Sequence, residues 1–226
     1  ALSMDVASCQ KNLEIKKTVS SPNIYLGLGI HPSEAKVEDI EACVDLIRLN
    51  QKLLHAVGEI GLDFWYKWVR KDDQKKDDQR KVFRALLEIA HELNLPAVVH
   101  ARGTWKECLE TVQSVGIKRA EFHWYSGPLD ILKDILDAGY FISAPPALAY
   151  SPPLRAAMEM APIEQVLIET DCPVFFKADE NDPGFKSEPK DVFRTLKAYA
   201  ELKNMDEAKA AHILTNNAKR FFGIKE

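Results

Sequence analysis

The chain has 226 residues, of which 46% are hydrophobic and 28% are charged, and its formal net charge is −4. This length suits one α/β domain of the barrel or doubly wound kind, or two small domains, and the composition excludes a disordered chain. The acidic balance argues against an extensive nucleic-acid-wrapping surface, because such surfaces are basic, but it allows a small basic groove beside an acidic metal site.

The four cysteines are scattered along the chain. They lie at Cys9, Cys43, Cys108 and Cys172, without the CxxC spacing of a zinc knuckle or a thioredoxin-like motif. Scattered thiols are typical of a reducing cytoplasm. No apolar run approaches the roughly 18 residues of a membrane span, and no signal segment is evident at the start. We therefore expect a soluble, cytoplasmic protein that does not engage a membrane.

Short apolar runs alternate with helical patterns along the chain. Strands are predicted at residues 23–30, 54–60, 97–100, 120–125, 140–143 and 166–168, with a further strand remnant at 1–4. Helices are predicted at 36–50, 78–93, 104–115, 128–138, 153–161, 191–203 and 206–222. Strand alternating with helix predicts parallel βα units with right-handed crossovers.

The strand count bears on the fold. Seven strands are one fewer than a closed (β/α)8 barrel needs. The chain starts at Ala1 rather than at Met and enters an apolar segment at once. We interpret it as a TIM-type α/β barrel that lacks its first βα unit, forming a single domain over residues 1–226. An open doubly wound sheet is the alternative, because six or seven strands would complete it.

Residues that can bind a metal lie at or near the end of nearly every predicted strand. In chain order they are His31, Glu59, His100, His123, Glu169 and Asp171. In a barrel, the carboxyl ends of the strands meet on one face, whereas along an open sheet only two or three of these side chains would converge. A lone histidine is more often a hydrogen-bonded core residue. The other three histidines, His55, His91 and His212, do not end strands, and we interpret them as structural.

Glu169 and Asp171 follow the strand at 166–168. Two residues apart on a strand, they would point to the same side, where adjacent carboxylates repel each other and resist desolvation. A bound cation is the usual reason for such a pair, and an ordinary solvated loop or a helix N-cap is the alternative. Three histidines and three carboxylates exceed the three protein ligands of a catalytic zinc, which suggests a two-metal centre of Zn, Mn, Fe or Mg.

Two features near these residues indicate an anionic substrate. Arg102 follows His100 by two residues, so it can clamp an anion from the same side, or form a salt bridge with Glu59 or Asp171 instead. The loop at 64–71, which contains Trp65, mixes aromatic and basic residues, a pattern typical of contact with single-stranded nucleic acid. Alternatively, these aromatic side chains pack the loop onto the rim of the barrel.

With these motifs in this order, the chain resembles the TatD family of metal-dependent deoxyribonucleases, within the amidohydrolase-type barrels. The motifs are Gly29-Ile30-His31-Pro32, Gly58-Glu59-Ile60-Gly61-Leu62-Asp63, Gln79 with Phe83, His100-Ala101-Arg102, His123-Trp124-Tyr125-Ser126-Gly127, Glu169-Thr170-Asp171-Cys172-Pro173, and Asn217 before Phe221-Phe222-Gly223. The resemblance implies a barrel that hydrolyses the phosphodiester bonds of DNA with two divalent metal ions (Mg, Mn or Zn). It implies nucleic acid as the substrate and no protein partner.

The resemblance also implies roles for single residues. The implied metal ligands are Glu59, His100, His123 and Asp171. Asp171 would also orient and deprotonate the attacking water, with Glu169 beside it as the second catalytic residue. The same resemblance places His31 in the substrate pocket, whereas Arg102 and Trp65 are substrate contacts suggested by the residues themselves.

The chain departs from the family pattern at its start. The family's first strand carries a His-x-His pair that this sequence does not contain, and one metal subsite would lose its main ligands without it. Two alternative functions follow. One is hydrolysis of amides, lactones or small phosphate esters on the same scaffold. Many such relatives use a carbamylated lysine as a bridging ligand, and none of the predicted strands of this chain carries a lysine. The other is a non-catalytic relative of a nuclease.

Overall fold

Strands alternate with helices throughout residues 1–225, the part of the chain that the computed structural model describes. The chain divides into two units, Ala1–Glu121 and Phe122–Glu226. Each unit contains parallel strands with helices between them, and the second unit adds an antiparallel hairpin. The single domain over residues 1–226 stays a prediction. Within residues 1–225, no helix is long and apolar enough to cross a membrane.

The first unit contains three complete parallel strands. Its strands are Leu26–Leu28 (β1), Leu54–Asp63 (β2) and Ala97–Arg102 (β3), and its helices are Val6–Thr18 (α1), Ile40–Leu49 (α2), Asp73–Glu92 (α3) and Trp105–Val115 (α4). β2 pairs in parallel with β1 on one side and with β3 on the other. The fourth strand, Ala120–Phe122 (β4), contains the position at which the two units divide.

The pairing of β2 with β3 depends on one glycine. Gly61 lies opposite His100, and Asp63 lies opposite Arg102. Gly61 has φ near +149°, and a Cβ atom there would lie 1.9 Å from the carbonyl oxygen of His100. Only glycine permits so close an approach of the two backbones. Glu59 and Asp63, on either side of Gly61 in the sequence, are thereby placed beside His100.

Helix α1 was not predicted, because the patterns indicate no helix before residue 36. Asp5 caps it: the backbone N–H of Ser8 donates to the Asp5 carboxylate (2.7 Å), and the N–H of Asp5 donates to Ser8 Oγ (2.9 Å). Within the helix only Cys9 and Leu13 are buried. Such a narrow buried face leaves no apolar stripe in the sequence, so the capping pair was the available signal.

Residues 1–4 do not form a regular strand, although the sequence suggests a strand remnant there. They nevertheless pair with the backbone around β1. The N–H of Gly27 donates to the carbonyl of Ala1, and the N–H of His31 donates to the carbonyl of Met4, both at 2.9 Å. The backbone of His31 is therefore held by the segment that leads into α1.

Helix α3 begins five residues before its predicted start at residue 78. Asp72 is its N-cap and accepts from the backbone N–H of Lys75 at 3.1 Å. The buried face of the helix runs from Gln79 to Ala90. Because the first turn is polar and solvated, hydrophobic periodicity does not mark it.

The second unit continues the pattern and adds a hairpin. Its remaining strands are Phe141–Ala144 (β5), Val166–Ile168 (β6), Phe175–Phe176 (β7) and Phe185–Lys186 (β8), and its helices are Leu129–Asp137 (α5), Pro152–Met160 (α6), Val192–Leu202 (α7) and Glu207–Phe222 (α8). β5 and β6 pair in parallel, whereas β7 and β8 form an antiparallel hairpin. The hairpin was not predicted, because two-residue strands give no periodic signal.

Helix α8 is held to the start of β6 by one buried amide. The Nδ2 group of Asn217 donates to the carbonyl oxygens of Ile163 (2.6 Å) and Val166 (2.9 Å). Asn217 is 2% exposed, so these bonds satisfy a polar group that water does not reach. This motif residue therefore has a structural role in the second unit.

Candidate metal centre

Three of the predicted site residues lie together in the first unit. His31 follows β1, Glu59 lies in β2 and His100 lies in β3. One potential ligand atom from each residue lies within 4.8 Å of the other two. His100 Nδ1 is 3.0 Å from Glu59 Oε1, and His31 Nε2 is 3.4 Å from the same oxygen. Two imidazoles and a carboxylate at this spacing form a donor set suited to a transition metal such as Zn, Mn or Fe.

Asp63 belongs to this group, although the sequence patterns did not assign it a role. Its fully buried carboxylate has Oδ2 at 2.9 Å from His100 Nε2, and Oδ1 accepts from the backbone N–H of Trp65 at 3.0 Å. Burial alone would raise the pKa of Asp63. The hydrogen bond to His100 and the nearby charges of His100 and Arg102 outweigh burial and hold that pKa below its ordinary value. The available signal was spacing, because Asp63 follows Glu59 by four residues in one strand.

Asp63 determines which nitrogen of His100 can bind a metal. An ionised carboxylate accepts only, so His100 Nε2 carries the proton that faces Asp63. In the neutral ring the lone pair then lies on Nδ1, the atom that faces Glu59. A carboxylate behind a histidine in this way is the usual support of a metal-binding imidazole.

His31 presents the opposite tautomer. The backbone N–H of Ser33 donates to His31 Nδ1 at 3.1 Å, so the neutral ring carries its proton on Nε2. That nitrogen lies 3.3 Å from His100 Nδ1 and 3.4 Å from Glu59 Oε1. In this tautomer His31 offers a hydrogen-bond donor, which suits contact with a substrate oxygen better than metal ligation.

The side chain of Gln79, in α3, supports the group from behind. Its Nε2 donates to the carbonyl oxygens of Pro32 (3.0 Å) and Asp63 (3.2 Å), and its Oε1 accepts from the N–H of Asp63 (2.9 Å). Gln79 is 2% exposed, so these partners are protein groups shielded from solvent. One helical residue thereby connects the segment after His31 to the end of β2.

Arg102 and Trp65 lie on the outer side of the same group. Arg102 Nε is 2.8 Å from Asp63 Oδ2, so its ion-pair partner in this unit is Asp63, a residue that the alternative of a salt bridge with Glu59 or Asp171 did not include. Its side chain is 44% exposed and remains accessible to an anion. Trp65 is 59% exposed, and its ring meets that of Trp105 edge-on at 5.9 Å.

In the second unit the predicted residues His123, Glu169 and Asp171 also lie together. A ligand atom of His123 lies within 4.8 Å of one from Asp171. Glu169 Oε2 is 3.4 Å from His123 Nδ1, while its Oε1 accepts from the backbone N–H of Trp124 (2.9 Å) and from Ser143 Oγ (2.8 Å). Because these protein donors fix the Glu169 carboxylate, that carboxylate can hold the His123 ring in position.

The backbone turns sharply between Glu169 and Asp171. β6 ends at Ile168, and Asp171 has φ near +46°, in the left-handed region. The alternation of an extended strand therefore does not reach Asp171, and this part of the prediction was based on the wrong backbone conformation. Asp171 approaches His123 because of the turn, and aspartate tolerates such a conformation better than most residues.

The three remaining histidines have the structural partners expected of them. His91 Nδ1 lies 3.1 Å from the carbonyl oxygen of Gly116, and the ring of His55 packs edge-on against Tyr25. His212 Nε2 lies 3.0 Å from Asn216 Nδ2, one turn further along α8. None of the three belongs to a metal-capable group among the described residues.

Comparison with known proteins identifies the family. A family model described as TatD related DNase matches residues 1–223. An uncharacterised metal-dependent hydrolase of Methanocaldococcus jannaschii is 34% identical over 220 residues, which cover 96% of this chain and 82% of that protein. Deoxyribonuclease TATDN3 of Homo sapiens is 25% identical over 231 residues, covering 96% of this chain and 82% of that protein.

Solved structures confirm the predicted fold class. YJJV, a TatD homologue of Escherichia coli, covers all of this chain with a TM-score of 0.87 and 22% identity, and the match covers 86% of that chain. A TatD family hydrolase of Entamoeba histolytica has a TM-score of 0.81 and 20% identity, with 97% of this chain and 82% of the other covered. At these identities the likeness shows the fold, an α/β fold of the TatD type. With the family model spanning almost the entire sequence, the chain belongs to the TatD-related family of metal-dependent hydrolases.

Proposed function

We propose that this protein is a nuclease that hydrolyses the phosphodiester bonds of DNA, acting on single strands or on ends. The observation that carries the proposal is the group His31, Glu59 and His100, with Asp63 bound behind His100. In this arrangement Glu59 and His100 offer ligand atoms to a metal, Asp63 orients His100, and His31 offers a donor to the substrate. The name of the human relative, a deoxyribonuclease, supports the choice of DNA over other substrates.

The proposed metal ligands are Glu59, His100, His123 and Asp171, which would hold two divalent ions (Mg, Mn or Zn). This set comes from the family resemblance. Each unit supports its own pair, since His100 Nδ1 lies 3.0 Å from Glu59 Oε1, and ligand atoms of His123 and Asp171 lie within 4.8 Å. Divalent ions bound there would polarise the phosphate and acidify a water molecule near neutral pH.

The side chains would divide the remaining work. Asp171 orients the attacking water and accepts its proton. Glu169, held by its own donors, keeps the His123 ring in place. His31 Nε2–H and the exposed part of Arg102 donate to phosphate oxygens, and these donors stabilise the charge that develops there. Trp65 would contact a base of the substrate.

The proposed setting follows from the composition. The scattered cysteines suit a reducing cytoplasm. The proposal needs nucleic acid as the only macromolecular partner and invokes no membrane and no protein partner. It treats residues 1–226 as a single hydrolase domain.

Metal-dependent cleavage of labelled DNA tests the proposal. The protein is stripped with a chelator and mixed with end-labelled single-stranded DNA, and Mg²⁺, Mn²⁺ or Zn²⁺ is then added. We expect shortened products only when metal is present. Replacement of Asp171 by Asn or of His100 by Gln should abolish them, and the matched variant His212→Gln, in a structural histidine, should retain full activity.

Other outcomes would assign a different function. Cleavage of amides, lactones or small phosphate esters without cleavage of DNA would identify a hydrolase with another substrate on the same scaffold. A protein that binds metal and cleaves nothing in either panel would be a non-catalytic relative. Either result would contradict the proposal.

A further inference from the structure

An exposed stack of side chains extends outward from the group in the first unit. The guanidinium of Arg102 lies 4.8 Å from the ring centroid of Tyr66, and the rings of Tyr66 and Trp68 are stacked, with centroids 4.5 Å apart and planes 18° apart. The ring of Tyr66 also lies 6.5 Å from that of His31. We call Arg102, Tyr66 and Trp68 the Trp68 stack.

The Trp68 stack ends in an open aromatic face. Trp68 is 53% exposed, and Tyr66 covers one side of its indole, so the opposite side faces solvent. Stacking another flat apolar group on the open side of the indole is favourable, because it removes apolar surface from water. A base offers such a surface whatever its sequence.

The loop that carries Trp68 is built as a tight turn. The backbone N–H groups of Val69 and Arg70 both donate to the carbonyl of Tyr66, at 2.9 and 3.0 Å. Val69, next to Trp68, is only 2% exposed and anchors the loop in the first unit. The indole is therefore presented by a fixed backbone, so little conformational entropy is lost when something stacks on it.

Three exposed basic residues lie close to Trp68 in the sequence. Lys67, Arg70 and Lys71 are all exposed, in a chain whose net charge is −4. The two acidic residues that follow have partners in α3: Asp72 caps the helix, and Asp73 forms an ion pair with Lys76 at 2.9 Å. An aromatic face with cations beside it is the pattern that binds a base and its flanking phosphates.

We propose that Trp68 is the stacking platform for an unpaired base of single-stranded DNA, whose phosphates lie along Lys67, Arg70 and Lys71. The choice of DNA as occupant rests on the proposed function. At roughly 3.4 Å per stacked base, the platform lies within about three nucleotides of His31. Trp65 does not share this arrangement, because it meets Trp105 edge-on and approaches Gly103. A duplex keeps its bases paired and stacked, so the platform favours single strands.

Binding in the absence of cleavage tests the platform. Fluorescence polarisation of labelled single-stranded oligothymidylate is measured in EDTA for the wild type, Trp68→Ala and Trp68→Phe. We expect Trp68→Ala to bind about 5- to 150-fold more weakly, the range that loss of one stacked base produces, and Trp68→Phe to recover most of the affinity. Phe193→Ala, which removes an aromatic side chain that is 66% exposed in the second unit, should bind like the wild type.

The results separate the platform from the proposed activity. Wild-type affinity in Trp68→Ala, no binding of single strands by the wild type in EDTA, or equal binding of duplex and single strand would each overturn the platform. Cleavage of DNA by the metal-loaded wild type would leave the proposed function in place in those cases. Trp68-dependent binding without any metal-dependent cleavage would contradict the proposed function and retain the platform.

Discussion

Replacing Asp63 by Asn removes the charge behind His100 while keeping the shape of the side chain. In the structure, Asp63 Oδ2 lies near two donors, His100 Nε2 (2.9 Å) and Arg102 Nε (2.8 Å), and Oδ1 accepts from the N–H of Trp65 (3.0 Å). Asparagine has one acceptor oxygen, so either orientation of its amide directs an NH₂ group at a donor. If that donor is His100, the ring must accept through Nε2 and carry its proton on Nδ1, the atom that would bind the metal.

The magnitude follows from the bonds that are lost. A charge-assisted hydrogen bond contributes about 1.5–3 kcal/mol. The loss of the negative charge opposite Arg102 adds little, because the Arg102 side chain is 44% exposed and its charge is screened by water. We therefore expect metal affinity to fall by about 10- to 100-fold, the range found when a partner behind a metal ligand is removed, or about 1.4–2.7 kcal/mol.

Titration calorimetry with Mn²⁺ and Zn²⁺ measures this effect, and Asp191→Asn is the matched control. Asp191 is likewise a buried carboxylate that accepts from a backbone N–H (Glu188, 2.8 Å) and pairs with an arginine (Arg194 Nε, 2.8 Å), but it has no histidine partner. Asp191→Asn should lower stability and leave metal affinity unchanged. If folded Asp63→Asn binds metal within about threefold of the wild type, or if both variants lose affinity equally, the tautomer argument is wrong.

Three other substitutions test separate parts of the structure. Gly61→Ala should lower the free energy of unfolding by at least about 3 kcal/mol, because its Cβ would lie 1.9 Å from the carbonyl oxygen of His100. The effect would be seen as a large drop in Tm, and an unchanged Tm would contradict the close approach of the two strands. Asn217→Ala should lower the free energy of unfolding in urea by about 2–4 kcal/mol, since one buried and one partly buried carbonyl lose their donor. A loss under about 1 kcal/mol would contradict this reasoning. Ser143→Ala should reduce metal-dependent turnover by about 3- to 30-fold with little change in Tm, because the Glu169 carboxylate loses the hydrogen bond from Ser143 Oγ and keeps the one from Trp124. Unaltered turnover would show that Glu169 does not need this hydrogen bond.

The sequence predicts those parts of the fold that depend on burial. Strands buried on both faces read as apolar runs, and helices with a wide buried face read as periodic patterns, so β2, β3 and most helices were predicted within a few residues. Helix α1 buries only Cys9 and Leu13, and the strands of the β7–β8 hairpin have two residues each, so neither leaves a periodic signal. These elements form through caps and through contacts distant in sequence, which a local pattern does not encode.

The site was predictable to a similar degree. Chemistry-bearing residues at strand ends could be identified because parallel strands end at a common face, and the structure brings His31, Glu59 and His100 together. The role of Asp63 was harder to identify. Its spacing from Glu59 was the available signal, but its contact with His100 also depends on the register in which Gly61 lies opposite His100. The left-handed backbone conformation of Asp171 could not be predicted from the sequence, because aspartate adopts it only when the surrounding fold requires it.

The hydrogen bonds of Gln79 have a consequence for how variants of this protein are interpreted. Its amide serves two segments that meet the candidate centre, one through Pro32 and the other through Asp63. A substitution at Gln79 would displace both the segment after His31 and Asp63, the support of His100, in one step, although Gln79 itself lies in α3. In a mutational scan such a position would score with the catalytic residues. Its effects should also be strongly non-additive with those of Asp63, because both substitutions act on the same end of β2.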